Sequence, residues 1–457
     1  MILKNGKIYS EGSLRKGIIL IEGGTISEIQ FNSDPETLKE LKNKNEDNEV
    51  IDCQNRLILP GIIDIHAHLR DMGQIHKESF RTGTKAAACS GITTVFNMPN
   101  TVPPATSPAQ VKKWMGKAKN NIFSDVGFIA GVPPEIDREQ IKEIIDLGVI
   151  GFKIYPLSPL SPIIWTDPIN FQELLEISSE FQKLIFIHPD WPLTRERKEK
   201  QVDIDILKLH NKIYPVDMEA KYVNFVLENY YTFISENSLK PDEYPIVHLC
   251  HISCRDSFSL IRKALDEYPN LNISFEVTPH HLLLSNEIKL KQANYGKVLP
   301  PLRPPEHSKF LFDQLNNNNI PLIGTDHAPH TLKEKSRDYY DAPSGFPGFE
   351  TYPFLLLDKV CKYQLSLNKF VSVASENPAR RFGLENKGFI KEGYDADLLI
   401  IDKIPPHQID SRKFISKSKL SPFDGYSTEV EIWKVFLKGT EITKAKQKPT
   451  GRIFRLN

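Results

Sequence analysis

From residue 57 to about 385 the hydrophobic pattern alternates between two periods. Short apolar runs near 62–68, 92–97, 124–130, 149–155, 184–188, 246–252, 272–277 and 320–325 read as buried strands. Between them, segments such as HKESFRTGTKAAACSG (76–91), REQIKEIIDLG (138–148), MEAKYVNFVLENYY (218–231) and RDSFSLIRKALDEY (255–268) read as helices. Eight strand–helix alternations predict an α/β fold, a (β/α)8 TIM barrel, because right-handed crossovers place every helix outside a parallel sheet. The long insertions at 156–170 and 189–218 follow the fourth and fifth strands, on the face where barrel enzymes keep their sites.

The two chain ends read differently. MILKNGKIY, KGIILIEGG and TISEIQ at the start, and DADLLIIDK and EIWKVFLKGTEIT near the end, are β-rich with Gly and Asn at the turns. The chain thus divides into 1–56, 57–385 and 386–457. The segment 33–48, SDPETLKELKNKNEDN, reads as a charged surface excursion.

Composition narrows the function. Lys+Arg and Asp+Glu both number 58, so no basic excess draws the chain to nucleic acid or to an anionic membrane surface. No segment approaches the roughly 18–20 apolar residues of a membrane helix. The five scattered cysteines read as reduced thiols of a cytoplasmic protein, and Cys250 and Cys254 as core residues.

The candidate chemistry starts at PGIIDIHAHLRDMG (60–73). Strand alternation places His66 and His68 on one face and Ile63, Ile65 and Ala67 on the other. Two imidazoles converging from one strand can hold a metal ion. In a barrel the strand ends meet, and these ends carry His66, His68, Asn100, Lys153, His188, His251 and Asp326. Singly each has a bland explanation, such as a snorkelling Lys153. Together they predict a metal site.

HAHLR (66–70), MPNT (98–101), GFKIY (151–155), HIS (251–253), EVTPHHLLL (276–284), PPLR (300–303), DHAPHT (326–331) and PSGFPGFET (343–351) resemble the dihydroorotase family of the amidohydrolase superfamily, over almost the whole chain and in family order. The HxH pair and the strand-eight aspartate are shared across the superfamily; MPNT, PHH, PPLR and DHAPHT are narrower.

The resemblance implies a barrel beside a small β-sandwich built from both chain ends. It implies two Zn2+ ions, one held by His66, His68 and Asp326 and the other by His188 and His251, bridged by Lys153 carboxylated on its amine. Carboxylation turns a buried cation into an anionic oxygen ligand, which suits zinc. The metals would make the attacking water acidic and polarise a cyclic amide carbonyl, while Asp326 moves the proton to the leaving ring nitrogen. In reverse, N-carbamoyl-L-aspartate closes to L-dihydroorotate, a step of pyrimidine biosynthesis. Arg70, Asn100, His330 and the turn at Ser344–Gly345 would bind the substrate and its carboxylate. A homo-oligomer and association with aspartate transcarbamoylase belong to the same set of expectations.

Two stretches depart from the family pattern. His188 is followed by Pro189, Asp190 and Trp191 instead of Ala-Glu, and Leu299 in KVLPPLR replaces a polar substrate contact. The competing readings are another cyclic amidohydrolase (a dihydropyrimidinase, hydantoinase or allantoinase) and an inactive scaffold for aspartate transcarbamoylase. Arg70 with MPNT argues against the first. The complete ligand set argues against the second.

Overall fold

The computed structural model describes residues 1–32, 49–193, 205–444 and 447–456. The expected excursion at 33–48, and 194–204 of the second insertion, lie outside the described residues.

The alternating region forms an eight-stranded parallel sheet in sequential order. Its strands are β6 (Ile62–Ala67), β7 (Ile92–Asn97), β8 (Asp125–Gly131), β9 (Gly151–Ile154), β10 (Leu184–Ile187), β11 (Ile246–Leu249), β12 (Ile273–Val277) and β13 (Leu322–Ile323). Seven fall within the predicted runs, and β8 extends one residue past its run, to Gly131. The sheet closes where the His68 amide donates to the His327 carbonyl at 2.8 Å and Ala67 bridges His327. Asp64 sews the same seam, accepting from the Thr325 amide at 2.9 Å and its hydroxyl at 2.5 Å. The fold is the predicted (β/α)8 barrel.

The helices start where the sequence supplies caps. Ser79 accepts from the Thr82 amide ahead of helix Phe80–Cys89, and Ser107 and Asp167 cap helices that begin with Pro108 and Pro168. Strand alternation then sorts the core. Phe128, Phe152, Ile185, Val247 and Phe275 pack with the helices in one cluster, while Ile63, Ile65, Phe96, Ile129 and Phe186 pack in a second, inside the barrel. Phe382 plugs the N-terminal end of the interior, 5.0 Å from Phe96 and 5.8 Å from Phe186 between ring centroids. With that end filled by aromatic rings, the polar chemistry is left to the opposite end.

The chain ends form a second sheet of eight strands. β1 (Ile2–Ser10), β2 (Ser13–Glu22), β3 (Thr25–Phe31), β4 (Val50–Asp52) and β5 (Leu57–Pro60) come from the start of the chain. β14 (Leu398–Gln408), β15 (Ser427–Leu437) and β16 (Thr440–Glu441) come from its end. β5 pairs with β14, Leu59 facing Leu399, which joins the two contributions.

One expectation about side-chain direction is corrected. Ile63 and Ile65 belong to the interior cluster, so simple alternation would turn His66 outward with Ile62. The β6–β7 register instead shifts between Asp64 and Ala67, where three steps along β6 match two along β7. This irregularity re-aims His66 into the barrel mouth, as strand bulges beside active sites do.

Candidate active site

His66, His68, Arg70, Asn100, His188, His251, Asp326, Ser344 and Gly345 line a single cavity of about 300 Å3 at the C-terminal ends of the strands. Lys153 lies just beneath it, 1 % exposed, its Nζ 2.7 Å from Cys250 Sγ. Three of these residues hold left-handed backbone: Arg70 (φ 57°), His251 (φ 37°) and Asp326 (φ 47°). That conformation costs a non-glycine residue about 1–2 kcal/mol, and such strain clusters where a side chain must be aimed at a ligand.

The tautomers of the first two histidines follow from their partners. Asn100 Oδ1 lies 2.5 Å from His68 Nδ1, and Glu276 Oε1 accepts from His66 Nδ1. Both acceptors are oxygens, so both rings carry a proton on Nδ1 and turn Nε2 toward the cavity. There, His68 Nε2 and His66 Nε2 stand 3.0 and 3.5 Å from the same oxygen, Asp326 Oδ1. Burial lowers the His68 pKa to about 4, so its Nε2 presents a lone pair to a carboxylate. Two acceptors face to face call for a cation between them. His66, His68 and Asp326 offer ligand atoms within 4.8 Å of one another, all buried, which fits a divalent ion with N and O ligands.

The second histidine pair sits alongside. The His188 and His251 rings are 4.5 Å apart, and the His251 ring is 5.1 Å from that of His66. Burial, reinforced by His188 and Lys153, holds the His251 pKa well below its ordinary value. Its Nδ1 is buried without a partner among the described residues. A neutral imidazole with a free nitrogen is the form that ligates metal.

The other wall of the cavity suits an anion. Arg70 is buried, its Nε unpartnered among the described residues and its Nη2 3.4 Å from His330 Nε2. His330 itself does not line the cavity. Its Nδ1 lies 3.2 Å from Lys77 Nζ and its Nε2 3.0 Å from the Ser344 carbonyl. An ammonium only donates and a carbonyl only accepts, so the proton sits on Nε2 and both nitrogens are engaged. His330 thus buttresses the Ser344–Gly345 turn. Lys335 Nζ braces that turn further, donating to the carbonyls of Lys297, Pro343 and Gly345 at 2.9–3.0 Å. Leu299 lines the cavity with an apolar face, as its side chain dictates.

Sequence reasoning missed several contributors. Glu276, the first residue of EVTPHHLLL, is one of them; a carboxylate inside the apolar strand ISFEV is its signal in the sequence. Cys250, read as core, is buried and unpaired by disulfide yet touches Lys153. Lys335 and Asp64 gave no signal, since what they bond is distant in sequence. Of the unusual residues after His188, Asp190 is buried with Oδ2 3.9 Å from His188 Nε2. Trp191 packs on Phe225 at 5.8 Å and under Lys221 Nζ at 3.8 Å.

Comparison with known proteins agrees with this geometry. Residues 57–442 match the amidohydrolase family model. A dihydroorotase of Methanosarcina acetivorans is 35% identical over 430 residues, covering 93% of this chain and 88% of that protein. One of Pyrococcus abyssi is 32% identical over 451 residues, covering 98% and 96%. Among solved structures, an L-hydantoinase (dihydropyrimidinase) of Arthrobacter aurescens superposes with a TM-score of 0.82 over 100% of this chain and 99% of its own, at 24% identity. A dihydropyrimidinase of Brevibacillus agri gives 0.83 over 99% and 98%, at 23% identity. The structural likenesses establish the fold alone. The family match and the sequence relatives carry the assignment: the chain belongs to the amidohydrolase family and, within it, to the dihydroorotases.

Proposed function

We infer that this chain is a dihydroorotase, a metal-dependent cyclic amidohydrolase that interconverts L-dihydroorotate and N-carbamoyl-L-aspartate. The observation that carries the reading is the shared cavity, with the histidines and Asp326 on one side and Arg70, Asn100 and the Ser344–Gly345 turn on the other. A cyclic amide bearing a carboxylate needs both walls. A neutral ureide ring has no use for a buried guanidinium.

The site would hold two zinc ions, one on His66, His68 and Asp326 and the other on His188 and His251, with Lys153 carboxylated on Nζ as the bridge. The bound metals supply an acidified water and a polarised carbonyl at neutral pH. The chain's own residues do the rest. Arg70 takes the substrate carboxylate in a bidentate fork and Asn100 adds an amide contact. The turn held by His330 and Lys335 closes over the ring. The Asp326 carboxylate receives the proton of the attacking water and delivers it to the ring nitrogen as the carbon–nitrogen bond breaks. In the direction of synthesis the same carboxylate takes the proton from the carbamoyl nitrogen as the ring closes with loss of water.

The barrel domain, 57–385, would carry the whole site, and 1–56 with 386–457 would form the flanking sandwich. The enzyme would serve pyrimidine synthesis in a cytoplasm, as a homo-oligomer able to associate with aspartate transcarbamoylase. Among the described residues no helix is long and apolar enough to cross a membrane.

Turnover of L-dihydroorotate, N-carbamoyl-L-aspartate, dihydrouracil, hydantoin and allantoin by the zinc-loaded protein tests this function. The expected result is activity with the first two alone. Faster turnover of the uncharged rings would replace the reading with that of a dihydropyrimidinase or hydantoinase.

A further inference from the structure

Glu276, in the middle of the barrel, is fully buried and touches both halves of the site. Oε1 accepts from His66 Nδ1 and, at 3.2 Å, from the backbone amide of His251. Oε2 faces His248 Nε2 at 3.4 Å, and neither of these atoms has a hydrogen-bond partner among the described residues. His248 is aimed from the other side, its Nδ1 2.9 Å from Ser274 Oγ, which accepts from Arg381 Nε at 2.7 Å. Arg381 only donates, so the Ser274 hydroxyl proton goes to the nearer of its two acceptors, His248 Nδ1 at 2.9 Å against the Val247 carbonyl at 3.5 Å, and leaves the His248 proton on Nε2, facing Glu276. Gly324 completes the fit, since a Cβ there would lie 2.4 Å from Glu276 Oε2 and 3.0 Å from His66 Cβ.

We propose that Glu276 is the positioning residue that unites the two metal half-sites, fixing the His66 tautomer through Nδ1 and the left-handed backbone of His251 through its amide. It does not touch the substrate cavity and acts only through those two histidines. A carboxylate at this place orients a ligating imidazole and makes it more basic. An anion in the barrel interior is tolerated only where donors surround it, and here the His66 ring, the His251 amide and His248 Nε2 do so. The inference rests on the metal-dependent reading given above.

The test uses metal-free full-length protein, wild type and Glu276→Gln, titrated with zinc against a chromophoric chelator, together with thermal unfolding of the metal-free forms. The amide keeps the volume and one acceptor but loses the charge. Glu276→Gln is expected to bind zinc about 10–100-fold more weakly, while its metal-free form melts no lower than wild type. Ser274→Ala, which leaves Glu276 in place, is expected to retain wild-type zinc affinity. Unchanged zinc affinity in Glu276→Gln overturns the proposal. So does a metal-free melting temperature that drops with the affinity, or an equal loss in Ser274→Ala, because either marks Glu276 as general packing. If wild type itself takes up no zinc, the metal-dependent reading fails first, and that outcome is distinct from all of these.

Discussion

His68 Nε2 stands 3.0 Å from Asp326 Oδ1, joining the ends of the first and eighth barrel strands across the floor of the cavity. The strands meet in sequence positions more than 250 residues apart, and their side chains share one oxygen. Under the proposed function Asp326 would have two duties, as a ligand and as a proton carrier. Changing Asp326 to Asn is expected to leave part of the metal bound and lower kcat about 100- to 10,000-fold, the usual worth of a positioned acid–base group. Steady-state kinetics with zinc content measured on the same sample checks this. A near-normal kcat would assign the proton to another group.

Lys153 is buried beneath the cavity, and among the described residues only Cys250 Sγ is its side-chain hydrogen-bond partner. Carboxylated, it would supply the bridging oxygens; as alanine it supplies nothing. Lys153→Ala is expected to lose most of its zinc and nearly all turnover, with partial recovery when small carboxylic acids are added. Metal analysis of the dialysed variant decides the matter, and a full zinc complement would place the lysine outside the centre.

Arg70 and Leu299 line the same cavity with opposite consequences. Loss of one charge-assisted hydrogen bond is worth roughly 1.5–3 kcal/mol, or about 10–100-fold in affinity. A bidentate fork loses at least that, so Arg70→Ala is expected to abolish use of dihydroorotate. Leu299→Asn restores the polar contact typical of the family and is expected to change KM only modestly, because under the proposed function Arg70, Asn100 and the braced turn would already hold the carboxylate. Kinetics with dihydroorotate and dihydrouracil on both variants provide the check. A harmless Arg70→Ala would mean that this wall does not bind an anion.

His210, on helix Ile206–Ile213, ties the second insertion to the site: Nδ1 lies 2.7 Å from the Tyr339 hydroxyl and Nε2 donates to the Val298 carbonyl at 2.8 Å. Burial, opposed by the Val298 bond, lowers its pKa to about 3. An unfolded histidine titrates near 6.5, so below that pH the unfolded chain gains a proton that the folded one refuses. The contribution is intact above pH 6.5 and is lost as the pH falls toward 3. By pH 5 the loss amounts to about 2 kcal/mol. Denaturant unfolding at pH 7.5 and pH 5.0 is expected to show a smaller acid loss in His210→Gln by about that amount. Equal losses would assign the acid sensitivity to other groups.

The sequence by itself determined the architecture and most of the site. The eight apolar runs became β6 to β13 because a buried parallel strand needs continuous hydrophobic character, a local property legible at each run. Strand order then brought His66, His68, His188, His251 and Asp326 to one mouth, since parallel strands all end on the same side. Only the tertiary structure decided how those side chains are aimed. The irregular register after Asp64 reverses the facing that alternation assigns to His66, and a register shift belongs to a pair of strands, so neither sequence segment announces it. Glu276 under His66, Lys335 behind Gly345 and His330 turned onto Ser344 are of the same kind. Each is a buried polar group whose role depends on the donor or acceptor it meets, and that partner is fixed by packing between segments far apart in the chain.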